Sequence, residues 1–175
     1  EDSEWLSTLQ NQLQVNAFVN PQNYQRSDEQ IGWVTAESIL DADFSLMEKW
    51  FLDPYVYGQI RIDKKTLPSN LFRAMFEMRV KEWMLTNNRD RIPKNEKADI
   101  KDVLQAELFA QTLPRVKTAE FCWNLDQQYL ILLNISDSFN EKFCEHFYTT
   151  FGLTLRPQTP LMFLKASDPN IETMI

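Results

Sequence analysis

The spacing of apolar positions changes period along the chain. Trp5, Leu6, Leu9 and Leu13 recur at helical spacing behind Asp2 or Ser3, so EDSEWLSTLQNQL predicts a first helix. A short apolar stretch, VNAFV, follows, then a polar loop, NPQNYQRSDEQ, expected to be exposed and mobile. The segment IGWVTAESIL reads as a short strand running into a helical turn, with Thr35 a candidate cap. YVYGQIRID alternates around Val56, Gly58, Ile60 and Ile62 and predicts a strand. Pro68 and Ser69 open the clearest helix, PSNLFRAMFEMRVKEWML, whose apolar face is Leu71, Phe72, Met75, Phe76, Val80, Trp83 and Met84. TNNRDRIPKN interrupts it. A second helix follows from about Pro93 to Leu113, with Ile100, Val103, Leu104 and Leu108 inward, and Pro114 ends it.

Beyond Pro114 the period becomes two. VKTAEFCWNL places Phe121, Trp123 and Leu125 on one face, Asp126 to Gln128 form a turn, and YLILLNI is an almost wholly apolar strand, so the pair predicts a β-hairpin. Ser136, Asp137 and Ser138 are three candidate N-caps for a helix, SFNEKFCEHFYTTFG, that stops at Gly152. LTLRP and PLMFL are short late strands or a tail. The order is α+β: antiparallel strands, a long helical pair, and a C-terminal β-hairpin–helix–strand unit. One domain over 1–175 is expected, with the pair at 68–113 as a subdomain. No internal repeat or low-complexity tract interrupts it.

Composition narrows the function. The chain has 175 residues, is 43% hydrophobic and carries 12 Phe and 5 Trp, enough for a sizeable core. Its 3 Gly argue against glycine-rich phosphate loops. The net charge of −7 argues against nucleic acid as a partner if read as a sum. Its distribution says otherwise. Between Arg61 and Lys101 stand 11 of the 18 basic residues and only 6 acids, a net of +5 against −12 for the remainder. No apolar run is long enough for a transmembrane helix, and no signal-peptide core is present. Cys122 and Cys144, far apart and without CxxC spacing, read as buried free thiols of a reducing compartment. The chain opens on Glu1 instead of Met, so a missing N-terminal element is expected.

Catalytic chemistry has little to build on. Cys144 and the sole histidine, His146, stand two apart on a predicted helix and point to different sides, which works against a nucleophile pair. One His and two distant Cys cannot make a zinc site. Asp41 and Asp43 could hold a hard cation, although such a pair is more often a solvated turn. No HExxH, GxSxG or Walker pattern occurs. The expectation is no enzyme, no metal and no cofactor.

The basic segment is more informative. Arg73, Glu77 and Lys81 make an ordinary surface ladder. Lys94, Lys97 and Lys101 stack on one face of the second helix, and neither Lys97 nor Lys101 has an acid three or four positions away. With Arg89 and Arg91 just upstream, this uncompensated stripe suits phosphate binding, because each contact releases condensed counterions. Asn87 and Asn88 could add neutral phosphate or sugar contacts. Tyr24 and Tyr55 are the better candidates for an exposed ring on which a base could stack.

Several segments in order resemble the recombination-associated protein RdgC family. They are GWV at Gly32 to Val34, YGQIRID, KKTLPSNLFRAMFEMRV, KNEKADIKDVLQAELFAQTLPR, the strand ending at Trp123, Asn124 and Leu125, and LTLRPQTPLMFL. The likeness runs from about Trp5 to Leu164 and is nearest to the short members. It implies a cytoplasmic, nucleoid-associated protein that binds single- or double-stranded DNA with little sequence preference. It also implies modulation of recombination or of a recombination protein, and a homodimer, since long members look like ring-shaped dimers. On the resemblance, Lys94, Lys97 and Lys101 match the family's basic positions, and Leu113, Pro114 and Arg115 its Leu-Pro-Arg. This chain is about half the length of the long members, is acidic overall, and has a shortened stretch after Leu-Pro-Arg that holds Lys117. The family's first strand would precede Glu1. The expected DNA-binding set is Lys64, Lys65, Arg89, Arg91, Lys94, Lys97, Lys101, Arg115 and Lys117. The competing expectation is an acidic protein-interaction module, or a DNA-mimicking inhibitor, that engages a basic partner. A nuclease reading lacks a recognisable carboxylate and lysine arrangement.

Overall fold

In the computed structural model, which describes residues 2–19 and 29–158, the longest strands pair at the centre of an antiparallel five-stranded sheet. Strand β3 (Tyr55–Lys64) is flanked by β4 (Arg115–Asn124) on one side and by β1 (Glu29–Val34) and β2 (Phe51–Leu52) on the other. Strand β5 (Tyr129–Leu132) extends the sheet beyond β4. Ile60 fixes the register, opposite Trp33 on β1 and Ala119 on β4. The predicted alternation in β3 is only half of its burial. Val56 and every residue from Gly58 to Asp63 are buried, including Gln59, Arg61 and Asp63. A central strand covered on both faces must bury polar side chains with partners, and these have them. Gln59 donates to the carbonyl of Ala36 (2.9 Å), and Arg61 grips Asp63 through Nε (2.8 Å) and Nη2 (2.7 Å).

Helix α1 (Asp2–Val15) buries Leu13 and holds a stretch of chain that has no ladder of its own. Gln10 donates to the carbonyls of Phe44 and Ser45, both at 3.0 Å. Gln14 accepts from the Phe44 amide (2.9 Å) and donates to the Ala42 carbonyl. Two glutamines one helical turn apart thus satisfy backbone groups of an irregular segment, which can then bury Phe44 and Trp50. The helical turn expected after IGWV does not form. Thr35 leaves β1 with its amide bonded to the Asp41 carbonyl, and only a 3-10 turn at Met47–Lys49 interrupts the loop. Past α1, Phe18 donates to the Trp33 carbonyl, and a Cβ on Gly32 would stand 2.4 Å from the Phe18 Cα. The glycine of GWV is needed for that close approach. NPQNYQRSDEQ, with Tyr24, falls almost wholly outside the described residues. Tyr55 opens β3, half-buried, instead of lying in a loop.

Helices α2 (Ser69–Thr86) and α3 (Lys94–Gln111) form an antiparallel pair inserted in the chain between the paired strands β3 and β4. The β4–β5 hairpin forms, with Gln128 at φ 54° in its turn, but β5 stops at Leu132, short of the predicted YLILLNI. Two compact units divide the chain, 1–134 and 135–175. The second holds α4 (Asp137–Phe151), in which Phe139, Phe143 and Phe147 are buried at four-residue intervals. Gly152, at φ 69°, ends α4 as expected. Of the late strands, LTLRP adopts no strand, and PLMFL lies wholly outside the described residues.

Candidate nucleic-acid interface

No residue of α2 is fully buried, and α3 buries only Leu104 and Phe109, both in its second half. Val103, expected inward, is exposed, and Phe109 takes that role. The first half of α3 and the second half of α2 therefore form an outlying hairpin end. On α3 the lysines and the buried Leu104 lie on nearly the same side. The helix face that is core near its base becomes Lys94, Lys97 and Lys101 toward its start, all exposed. The three span about 10 Å at 1.5 Å per residue. Lys97 also rests its ammonium 5.9 Å from the Phe76 ring of α2.

The turn between the helices is fixed by backbone geometry. Asn88 has φ 50°; its amide donates to the Leu85 carbonyl (3.2 Å), and that of Arg89 to the Met84 carbonyl (3.0 Å). This pair of bonds is a Schellman stop, with asparagine in the left-handed position. The Asn87 side chain donates to the Trp83 carbonyl (2.8 Å). Asn87 and Asn88 thus have a structural task, besides any contact to a sugar or phosphate. Arg89 and Arg91 emerge exposed from the turn they shape. A cleft of 420 Å³ opens there, lined by Lys81, Met84, Leu85, Asn88, Arg89 and Asp90.

Ion pairing sorts the basic residues. Arg61 is withdrawn entirely: it is buried against Asp63, donates to the Ile39 carbonyl (2.9 Å) and lies 4.2 Å from the Phe18 ring centre. Arg73 pairs with Glu77 (3.1 Å), as the spacing predicts, and Arg79 with Glu107 across the helices (2.9 Å). Lys65 donates to the Phe109 carbonyl (3.2 Å) and tacks the end of β3 to α3. Among the described residues, Arg89, Arg91, Lys94, Lys97 and Lys101 form no ion pair. A second group sits at the end of the sheet. Lys64 and Arg115 are opposed in register, and Lys117, two residues on, shares their face. Lys64 approaches Glu29 at 3.9 Å. Like charges directly opposed on a sheet are unfavourable.

Comparison with known protein families decides the relationship. A family model described as "Putative exonuclease, RdgC" matches residues 2–174. The chain belongs to the RdgC family. That membership attaches it to a recombination-related family. No curated protein matches it significantly.

Elsewhere in this RdgC chain, groups with chemical potential are tied into the fold. Lys49 bridges Asp41 (3.0 Å) and Asp43 (3.6 Å), and Asp43 also accepts from the Ser45 amide and hydroxyl. Hydrogen bonds from the Asp43 and Ser45 amides hold the carboxyls of Asp41 and Asp43, respectively, below the usual aspartate range. Lys49 thus sits between the two carboxylates, of which Asp41 is half-buried and Asp43 exposed. Among the described residues no three His, Cys, Asp or Glu side chains gather at metal-binding distance. Cys122 and Cys144 are free and only half-buried. Burial pushes the Cys144 thiol up, away from the thiolate a nucleophile needs. No described helix is long and apolar enough to cross a membrane.

Proposed function

We propose that this chain binds DNA with little sequence preference through the outlying end of the α2–α3 hairpin, and that it occupies DNA without cutting it. One observation carries the reading: Arg89, Arg91, Lys94, Lys97 and Lys101 are exposed together, without ion pairs among the described residues. Phosphate contact is the interaction such a set performs best, because it needs charge and reach but no base-edge geometry. Lys64, Arg115 and Lys117 at the sheet end supply a second, smaller contact. Lys65, engaged with Phe109, contributes little to either. Binding without cutting is in keeping with four described carboxylates that are tied up in ion pairs: Asp63 with Arg61, Glu77 with Arg73, Glu107 with Arg79, and Asp41 with Lys49. The role we assign is control of recombinase access to DNA in the nucleoid.

The test is a gel-shift titration on a strand and its duplex at two salt concentrations. Changing Lys94, Lys97 and Lys101 together to Glu should weaken both complexes on the order of 100-fold or more near 0.1 M salt. The same DNA, incubated with the wild-type protein and Mg²⁺ or Mn²⁺, should remain full length. Retention of DNA by the triple variant would show that the surface is wrong. Absence of any shift at low salt, with recovery of a protein partner in a pull-down, would favour the acidic interaction module instead.

A further inference from the structure

Leu85 is the most exposed apolar side chain of the hairpin, at 82%, and it stands one residue before α2 ends. Packing does not require it there. The half-buried faces of α2 use Phe72, Met75, Phe76, Val80, Trp83 and Met84. Lys81, one turn earlier, lies beside Leu85 on the same face, and Arg89 follows it immediately past the Schellman stop. Met84 and Leu85 form the apolar lining of the 420 Å³ cleft, Lys81 and Arg89 its two cations, Asp90 its one carboxylate and Asn88 a neutral hydrogen-bonding group. An apolar lining with two cations against one carboxylate leaves a net positive cleft that is complementary to one nucleotide: a base has an apolar face and its phosphate an anionic edge.

We infer that this cleft seats an unpaired base of single-stranded DNA, with its flanking phosphates held by Lys81 and Arg89. The inference rests on the proposed hairpin-end binding and adds strand selectivity to it. In a duplex the base faces are stacked on each other and cannot reach Leu85, so duplex binding uses only phosphate contacts to the exposed basic residues. A single strand uses the stripe and the cleft.

The experiment compares wild type, Leu85→Ser, Leu85→Phe and the Lys94/Lys97/Lys101 triple Glu variant on a strand of about 20 nucleotides and on its duplex. Leu85→Ser should lower strand affinity about tenfold, the effect of losing one base contact, and leave duplex affinity unchanged. Leu85→Phe should restore or raise strand affinity. A 2-aminopurine in the strand should gain fluorescence with wild type, as its base leaves its neighbours for an aliphatic floor, and not with Leu85→Ser. Equal strand affinity for wild type and Leu85→Ser, while both still bind DNA, overturns the cleft and leaves the lysine stripe standing. Loss of the lysine effect overturns the stripe and with it the cleft. A wild-type dimer in sedimentation that Leu85→Ser dissociates, with strand affinity unaltered, would assign Leu85 to a second copy of the chain.

Discussion

Arg61 and Asp63 stand two apart on β3, and the period of a strand puts both side chains on one face. Asp63 is completely buried and accepts two hydrogen bonds from Arg61, whose guanidinium also lies over Phe18 and donates to Ile39. A buried charge with its partner removed is expensive, whereas replacing both partners by apolar groups is often neutral. Arg61→Met should therefore destabilise the fold by about 3–5 kcal/mol. Arg61→Met combined with Asp63→Leu should recover most of that loss. Urea unfolding of the two single variants and the double variant checks this. If Arg61→Met alone costs nothing, the pair does not hold the sheet. The same residue shows why a count of basic residues along the sequence overstates a binding surface: Arg61 has the sign of a DNA contact and the burial of a core residue.

The α2–α3 hairpin depends on one residue in the left-handed region. Asn tolerates φ 50° there, and a β-branched side chain does not. Asn88→Val should cost about 1–2 kcal/mol in stability and weaken strand binding by displacing Arg89, while Asn88→Gly preserves both. Chemical denaturation and strand titration of the two variants provide the measurement. An Asn88→Val protein of wild-type stability would show that the turn is not fixed as described. Both helices, β3 and the β4–β5 pair are legible in the sequence, because each is a run of one period with a stop: Pro68 and Pro93 at the helix starts, Asp126–Gln128 in the hairpin turn. The irregular 35–46 segment is not legible, since what orders it is remote in sequence: Gln10 and Gln14 on α1, and Arg61 on β3. The lysine stripe is readable from spacing. The cleft is not, because Leu85 counts as one more apolar residue until the helix is seen to end there and its neighbours to be Lys81 and Arg89. Val103 misleads for a related reason: apolar periodicity finds a face but not where along the helix the core stops.

At the scale of the molecule the decisive quantity is how charge is placed on a protein whose sum is −7. The hairpin-end group and the sheet-end group stand at opposite ends of α3, whose rise from Lys94 to Gln111 is about 26 Å. A short duplex can touch only one of them. A duplex loses about 0.9 in the slope of log affinity against log salt for each phosphate neutralised, so five contacts at the hairpin end give a slope near −4.5. Adding Lys64, Arg115 and Lys117 gives a slope near −7. A capped duplex of about 6 base pairs, roughly 20 Å long, should therefore show the shallower slope and one of about 20 base pairs the steeper. Arg115→Glu with Lys117→Glu should bring the longer duplex back toward the shallow value while leaving the short one unchanged. Equal slopes for the two lengths would confine contact to the hairpin end. The acidic remainder makes the comparison sharper, because its repulsion opposes any third patch and leaves duplex length as the variable that decides how many cations are engaged.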